Sequence, residues 1–128
     1  MAEKACLVIA PIGKTDTETR KRSDVVLEYV IKPAARECGY DAKRSDEISD
    51  AGMITSQVIQ RIFNDPLVVA DLTDSNPNVF YELALRHISQ KPLVQLIEKG
   101  QIIPFDISGM RTISTCRRRH RLLPIFPY

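Results

Sequence analysis

The chain has 128 residues, of which 44% are hydrophobic and 27% charged, and its formal net charge is +2. These values predict a single globular domain and exclude an intrinsically disordered chain. The longest apolar runs are far too short to span a bilayer, and the first residues contain no hydrophobic signal region. We therefore expect a cytoplasmic protein with no membrane partner.

The first strand is predicted at residues 6–10, a continuous apolar run of the kind that a parallel sheet buries on both faces. A polar loop follows, and then a long helical pattern in which Pro33 should produce a kink. Residues 40–44 give a weaker second strand. The one-turn spacing of apolar residues predicts the next helix over residues 53–64.

The third strand is predicted at residues 66–70 and ends at Asp71. Asn76 and Pro77 fit the cap and the first position of the helix that follows. The apolar face of this helix is expected to bury Phe80, Leu83, Ala84, His87 and Ile88. A fourth strand is predicted at residues 93–97, and a short fifth strand near residues 111–114.

Strands and helices thus alternate along the chain, and right-handed crossovers then give a parallel sheet. We predict an α/β fold, a three-layer flavodoxin-like parallel sheet of four to five strands with helices on both faces. The domain should span residues 1–114. Residues 115–128 form a tail that is first basic and then apolar.

Ligands of such sheets bind beyond the carboxyl ends of the strands. Asp71 would project into that crevice, and Glu82 lies in the first turns of the next helix, where the helix dipole favours an ionised carboxylate. Such a carboxylate can attack a sugar C1 or stabilise positive charge there. The alternatives are an exposed ion pair between Glu82 and Arg86 and a turn-forming role for Asp71.

Other polar residues in the loops that follow the strands have two interpretations each. Gly13 could let a ligand approach the backbone, and Lys14 could meet a phosphate, or both could belong to a solvated helix entry. Asp46 could accept hydrogen bonds from ribose hydroxyls or lie in an exposed acidic loop. Asn76 and Asn78 could contact ligand or only cap the helix.

Metal sites and cofactors are not expected. The three cysteines form no CxxC pair, and only two histidines accompany them. The motifs GxGxxG and GxxxxGK[ST] are absent, which weakens dinucleotide-dependent redox chemistry and P-loop hydrolysis. Four arginines between Arg117 and Arg121 leave the rest of the chain slightly acidic, so nucleic acid is an unlikely partner.

Residues 68–84, VVADLTDSNPNVFYELA, resemble the core motif of the nucleoside 2-deoxyribosyltransferase-like superfamily, which includes nucleotide N-glycosidases. The shared pattern is an apolar strand, a polar loop and a helix that opens with a Glu-Leu pair. Residues 6–13, CLVIAPIG, look like the first strand and the sugar- or phosphate-binding loop of this family. The resemblance covers roughly residues 6–113.

The resemblance implies a role for several residues. Glu82 takes the place of the catalytic glutamate, which attacks or stabilises the anomeric carbon. Pro11, Gly13 and Lys14 would lie in the loop against the sugar or phosphate, and Asn78 would border the sugar.

The chain is also similar to a bacterial-defence branch of the superfamily, related in fold to Toll/interleukin-receptor domains, in which NAD would be cleaved. Relatives often complete their sites across a dimer, so a homo-oligomer is expected.

One departure from the family pattern bears on the reaction. The deoxyribosyltransferases use a further acid on the helix before the third strand, whereas residues 53–64 contain no Asp or Glu. Asp46, Glu47 or Asp71 could substitute for it. The departure favours hydrolysis of a nucleoside, nucleotide or NAD over base exchange. The alternative function is a non-catalytic module that senses a nucleotide and signals by assembly.

Overall fold

The structure, a computed structural model, describes residues 3–49, 55–103, 112–115 and 122–124. Residues 122–124 are described for their backbone alone. The strands within these ranges are β1 (Lys4–Ile9), β2 (Tyr40–Arg44), β3 (Leu67–Asp71), β4 (Leu93–Glu98), β5 (Thr112–Thr115) and β6 (Leu122–Pro124). The helices are α1 (Glu18–Val26), α2 (Lys32–Glu37), α3 (Ser56–Asn64) and α4 (Pro77–Ser89).

The strands form one sheet in the order β2-β1-β3-β4-β5-β6. The first five strands in this order pair in parallel, which confirms the predicted α/β fold and the fifth strand. The sixth strand, β6, comes from the tail segment and pairs antiparallel with β5, with Pro124 opposite Ile113. The basic residues 117–121 lie outside the described residues.

The central strands are buried on both faces, as their apolar runs predict. Cys6 and Val8 of β1 pack with the layer of α1 and α2, whereas Leu7 and Ile9 pack with α3 and α4. All four side chains are fully buried. Because alternate residues of a strand face opposite sides, one strand supplies both halves of the core.

A π-helical turn, Leu27–Ile31, joins α1 to α2 where a kink was expected. The N–H of Lys32 donates to the carbonyl of Leu27, five residues back. Pro33 follows directly; it has no N–H and its ring crowds the carbonyl four residues earlier. The wider turn before the proline accommodates this ring without ending the helical path.

The buried face of α4 differs in part from the expectation, although Leu83 is buried and Phe80 packs against the core as expected. Ile88 is 71% exposed and Ala84 is also exposed, whereas Glu82 and Arg86 are buried. The guanidinium of Arg86 donates to the carbonyl of Ile62 at 2.9 Å and to that of Pro92 at 2.8 Å. These backbone acceptors, which tertiary structure brings to the helix, satisfy the charged side chain in the interior.

Two further findings concern the described ranges alone. No helix in them has both the length and the apolar character needed to cross a bilayer. They also contain no group of histidine, cysteine, aspartate or glutamate side chains that could hold a metal ion.

Candidate active site

Asp71 ends β3 and lies in a buried network at the carboxyl edge of the sheet. Its Oδ2 accepts a hydrogen bond from Arg22 Nη1 at 2.8 Å, and its Oδ1 accepts one from the Thr73 hydroxyl at 2.6 Å. Arg22 also donates to Thr73 Oγ1 at 2.7 Å, and its Nε lies 3.3 Å from Glu98 Oε2. Both oxygens of Asp71 are therefore engaged, and the network ties α1 to the ends of β3 and β4.

Asp46 lies at the same edge, in a short 3-10 turn after β2, and is likewise paired. It bonds to the guanidinium of the buried Arg44 and lies 3.4 Å from Arg20 Nη2. Arg44 also donates to Ser23 Oγ and to Asp24. Burial opposes ionisation of Asp46, but the bonds and charges of Arg44 and Arg20 outweigh it and lower its pKa.

The loop between β1 and α1 contains Pro11, which is buried, and Gly13 and Lys14, which are exposed. Gly13 has a φ of +67°, and a Cβ there would lie 3.0 Å from Thr17 Oγ1 and 3.1 Å from Thr19 Cβ. The start of α1 therefore explains by itself why this position lacks a side chain.

The loop between β3 and α4 is conformationally strained. Asp74 and Ser75 are consecutive residues with positive φ, +65° and +49°, which non-glycine residues rarely adopt. The Gln101 side chain holds the loop: its Oε1 accepts from the Asp74 N–H at 2.6 Å and its Nε2 donates to Asp74 Oδ1 at 2.8 Å. Backbone strain of this kind clusters at functional sites.

This loop ends at Asn76, the residue that caps the start of α4. Asn76 Oδ1 accepts hydrogen bonds from the N–H groups of Asn78 and Val79, so the capping interpretation of Asn76 is the one observed. Pro77 occupies the first helical turn, as predicted. The Asn78 side chain is exposed at the start of the helix, on the side of the carboxyl edge.

Glu82 is 6% exposed and lies between α4 and the core. Among the described residues, none donates a hydrogen bond to its carboxylate or forms an ion pair with it. Burial raises its pKa from 4.5 to about 7. The dipole was expected to favour the ionised form, but its effect fades after the first turn, and Glu82 is the sixth residue of α4.

The expected alternative for Glu82, an exposed ion pair with Arg86, is not observed. Arg86 is fully buried and bonds to backbone carbonyls instead. Burial lowers the pKa of the Arg86 guanidinium, and the negative charge of Asp65 offsets part of this decrease. Glu82 is thus a buried carboxyl without a partner among the described residues, a common property of catalytic acids and bases.

The predicted site residues fall into two groups. The first group lies along the carboxyl edge, where the parallel strands β1, β2 and β3 end. It consists of Gly13, Asp46, Asp71 and the two asparagines at the start of α4. Glu82 lies about one turn further along α4 than Asn78. Among the described residues no hydrogen bond or ion pair joins Glu82 to Asp71 or Asp46.

The structure also reveals residues that the sequence analysis did not single out. Thr73 is fully buried and accepts from Arg22 and from the Glu98 N–H. Arg44 bonds to Ser23 and Asp24 of α1, and Gln101 bonds to Asp74 of the β3–α4 loop. Apart from Asp71 and Asp46, the side-chain partners of these residues lie 20 or more positions away along the chain, so no local pattern signals them.

A cavity of about 240 Å³ lies on the opposite side of the sheet from α4. Its lining is apolar throughout and includes Val30, Ala34, Val94 and Ile113. None of the predicted site residues lines this cavity, and apart from Cys38 and Tyr40 its lining consists of aliphatic side chains.

The solved structures that match this chain include two enzymes with a similar fold. The CMP N-glycosidase BcmB of Clostridium botulinum matches with a TM-score of 0.56 and 13% identity over 91% of this chain and 92% of that chain. The 2-deoxyribosyltransferase of Bacillus psychrosaccharolyticus matches with a TM-score of 0.62 and 13% identity over 95% and 99%. The chain therefore has the nucleoside 2-deoxyribosyltransferase-like/N-glycosidase fold. Sequence comparison finds no matching family model and no matching curated protein.

Proposed function

We propose that this protein cleaves the N-glycosidic bond of a nucleoside, a nucleotide or NAD, and that Glu82 is the catalytic carboxylate. The observation that carries the proposal is the buried carboxyl of Glu82 on α4, which has no hydrogen-bond or ion-pair partner among the described residues. The fold is also that of one N-glycosidase and one deoxyribosyltransferase. Fold alone does not fix a function, so the residues must support it.

In the proposed reaction the ionised Glu82 attacks the anomeric carbon of the sugar. The bond between that carbon and the base nitrogen breaks, and its electron pair leaves with the base, which takes up a proton. The oxygen of a water molecule then bonds to the anomeric carbon as the bond to Glu82 breaks, which releases the sugar and restores the carboxylate; the proton that the water loses balances the one taken up by the base. Attack by a second base in place of water would give transfer.

The other predicted residues have supporting roles in this proposal. Asp71 positions the edge of the site through Arg22 and Thr73, since both of its oxygens are engaged. The exposed side chains of Asn78 and Lys14 are available to a sugar hydroxyl or a phosphate. Hydrolysis is preferred over transfer because the pairing of Asp46 and Asp71 leaves neither carboxylate free to handle an incoming base.

The test is incubation of the protein with NAD, nucleosides and nucleoside monophosphates, followed by chromatography for free base. Wild type should release base from at least one of them, and Glu82→Gln should release none. Glu37→Gln, which changes an exposed glutamate of α2 on the other side of the sheet, should match wild type. Equal base release by wild type and Glu82→Gln would remove Glu82 from the reaction.

A second function, nucleotide sensing without catalysis, is favoured by one specific observation. Asp46 and Asp71 are paired with arginines, and Asn76 caps its helix, so few polar groups of the edge remain for proton transfer. A sensor would bind its nucleotide unchanged. Calorimetry with the same compounds separates the two functions, because binding without base release in wild type supports the sensor.

A further inference from the structure

A row of four side chains crosses the sheet on the side that faces α4, and it changes from apolar to polar along its length. The row consists of Ile9 in β1, Ala70 in β3, Gln95 in β4 and Thr112 in β5, which are register partners of one another. Register partners in a parallel sheet face the same side. Because Ile9 and Ala70 belong to the core cluster that contains Leu83 of α4, Gln95 and Thr112 also face the α4 layer.

Gln95 is buried in this row with only part of its amide bonded. The residue is 1% exposed, and its Nε2 donates to Thr112 Oγ1 at 3.2 Å. Among the described residues, none donates a hydrogen bond to its Oε1. A buried acceptor without a donor is unfavourable, and such atoms are rare in folded proteins. The exception has an explanation if the donor arrives with a ligand.

Gln95 and Glu82 lie at the same level between α4 and the sheet. Helix α4 runs antiparallel to β4 because it connects two parallel strands, and Arg86 donates to the carbonyl of Pro92, directly before β4. Glu82 precedes Arg86 by four residues, ~6 Å along the helix, and helical side chains all lean the same way. The same distance along β4 is about two residues and leads from Pro92 to residues 94 and 95. Of these two, Gln95 faces α4, whereas Val94 packs with the other layer.

We propose that Gln95 contacts the sugar of the substrate and selects ribosides, because its Oε1 accepts a hydrogen bond from the 2′-hydroxyl. This inference rests on the proposed function, in which Glu82 attacks the anomeric carbon. Attack comes from the face of the sugar opposite the departing base, and the 2′-hydroxyl of a β-riboside lies on that face. A group beside Glu82 therefore meets this hydroxyl and not the base. The substrate class is then ribonucleosides, ribonucleotides and NAD, to the exclusion of 2′-deoxyribosides.

The surroundings of the amide suit this role. Thr112 holds Nε2 on the β5 side, so Oε1 is directed away from β5. The neighbour in β3 is Ala70, which has the smallest side chain of the row. Hydrogen bonds to the 2-hydroxyl strengthen in the transition state of glycoside cleavage. A deoxyriboside would leave the buried Oε1 unpaired, and sites built around a substrate hydroxyl reject analogues that lack it.

The test measures base release from matched pairs that differ only at the 2′ position. The pairs are nucleosides, nucleoside monophosphates and NAD, each with its 2′-deoxy counterpart, which in NAD is altered at the nicotinamide ribose. For wild type, kcat/KM should be about 100-fold higher for the riboside. Gln95→Met keeps the length of the side chain but removes the acceptor, and it should lower this ratio about 10-fold or more, mainly through kcat of the riboside. Gln60→Met makes the same change at an exposed glutamine of α3 and should keep the wild-type ratio.

The ratio of the two substrates does not depend on the fraction of protein that is folded, so it remains a valid measurement if Gln95→Met is unstable. Base release by wild type without a preference for ribosides would overturn the inference and leave the proposed function standing. A wild-type ratio in Gln95→Met would do the same. If no compound releases base, the proposed function fails, and calorimetry with the same pairs decides the inference: wild type should bind the riboside more tightly, and equal binding or no binding overturns it.

Discussion

The buried carboxyl of Glu82 links folding stability to pH in a way that Glu82→Gln should abolish. Burial raises the pKa of Glu82 from 4.5 to about 7, so the folded chain retains a proton that the unfolded chain has released. Its favourable contribution to the free energy of unfolding is complete below about pH 4.5. It is lost as the pH rises towards and through 7.

The size of the effect follows from the shift. One pKa unit corresponds to about 1.4 kcal/mol, so raising the pKa of Glu82 from 4.5 to about 7 gives ~3.5 kcal/mol in total and ~2.5 kcal/mol between pH 5 and pH 8. Glutamine is nearly isosteric but does not ionise. The stability of Glu82→Gln relative to wild type should therefore increase by ~2.5 kcal/mol over that interval.

The assay is urea unfolding of both proteins at several pH values from 5 to 8. The difference between them cancels the ionisation of all other groups, and Glu37→Gln provides the same substitution at an exposed site. A stability difference between Glu82→Gln and wild type that stays constant with pH would refute the reasoning. So would a relative stability of Glu82→Gln that decreases as the pH rises.

Three further predictions concern catalysis and the carboxyl edge. If Glu82 acts as nucleophile, base release should increase with pH to a plateau above about pH 7; a rate that decreases through this range indicates a general acid instead. Arg22→Met should destabilise the fold by about 3–5 kcal/mol in urea unfolding, because Asp71 remains buried without its partner, and loss below 1 kcal/mol contradicts this pairing. Gly13→Ala should destabilise by about 1–3 kcal/mol because of its positive φ and the close atoms of α1; unchanged stability means that this loop relaxes.

Much of the fold was predictable because its signals are local. The apolar run of residues 6–10 indicated a strand buried on both faces, and β1 has this environment. Asn76 and Pro77 marked the start of α4 to the residue, since capping depends on a few neighbouring backbone groups. Strand β6 was not predicted: it has three residues, and its pairing with β5 depends on tertiary structure.

The candidate site was predictable only in part, because its side chains are paired over long distances. Arg22 and Asp71 are 49 positions apart, so no spacing rule could connect them. The apolar pattern of α4 correctly placed Leu83 and Phe80 on the inner face but missed Arg86, which finds backbone carbonyls that only the folded chain brings near. The raised pKa of Glu82 has the same origin: burial depends on tertiary packing.

The two hydrogen bonds between Gln101 and Asp74, here called the clasp, link the path of the β3–α4 loop to a residue outside that loop. Each of the two positive-φ residues stores about 1–3 kcal/mol of backbone strain, and the clasp helps to hold them in place. A substitution at Gln101, on the connection after β4, would reposition Asn76 and Asn78 without altering either. The shape of this surface can therefore change through one glutamine while the sequence of α4 stays the same.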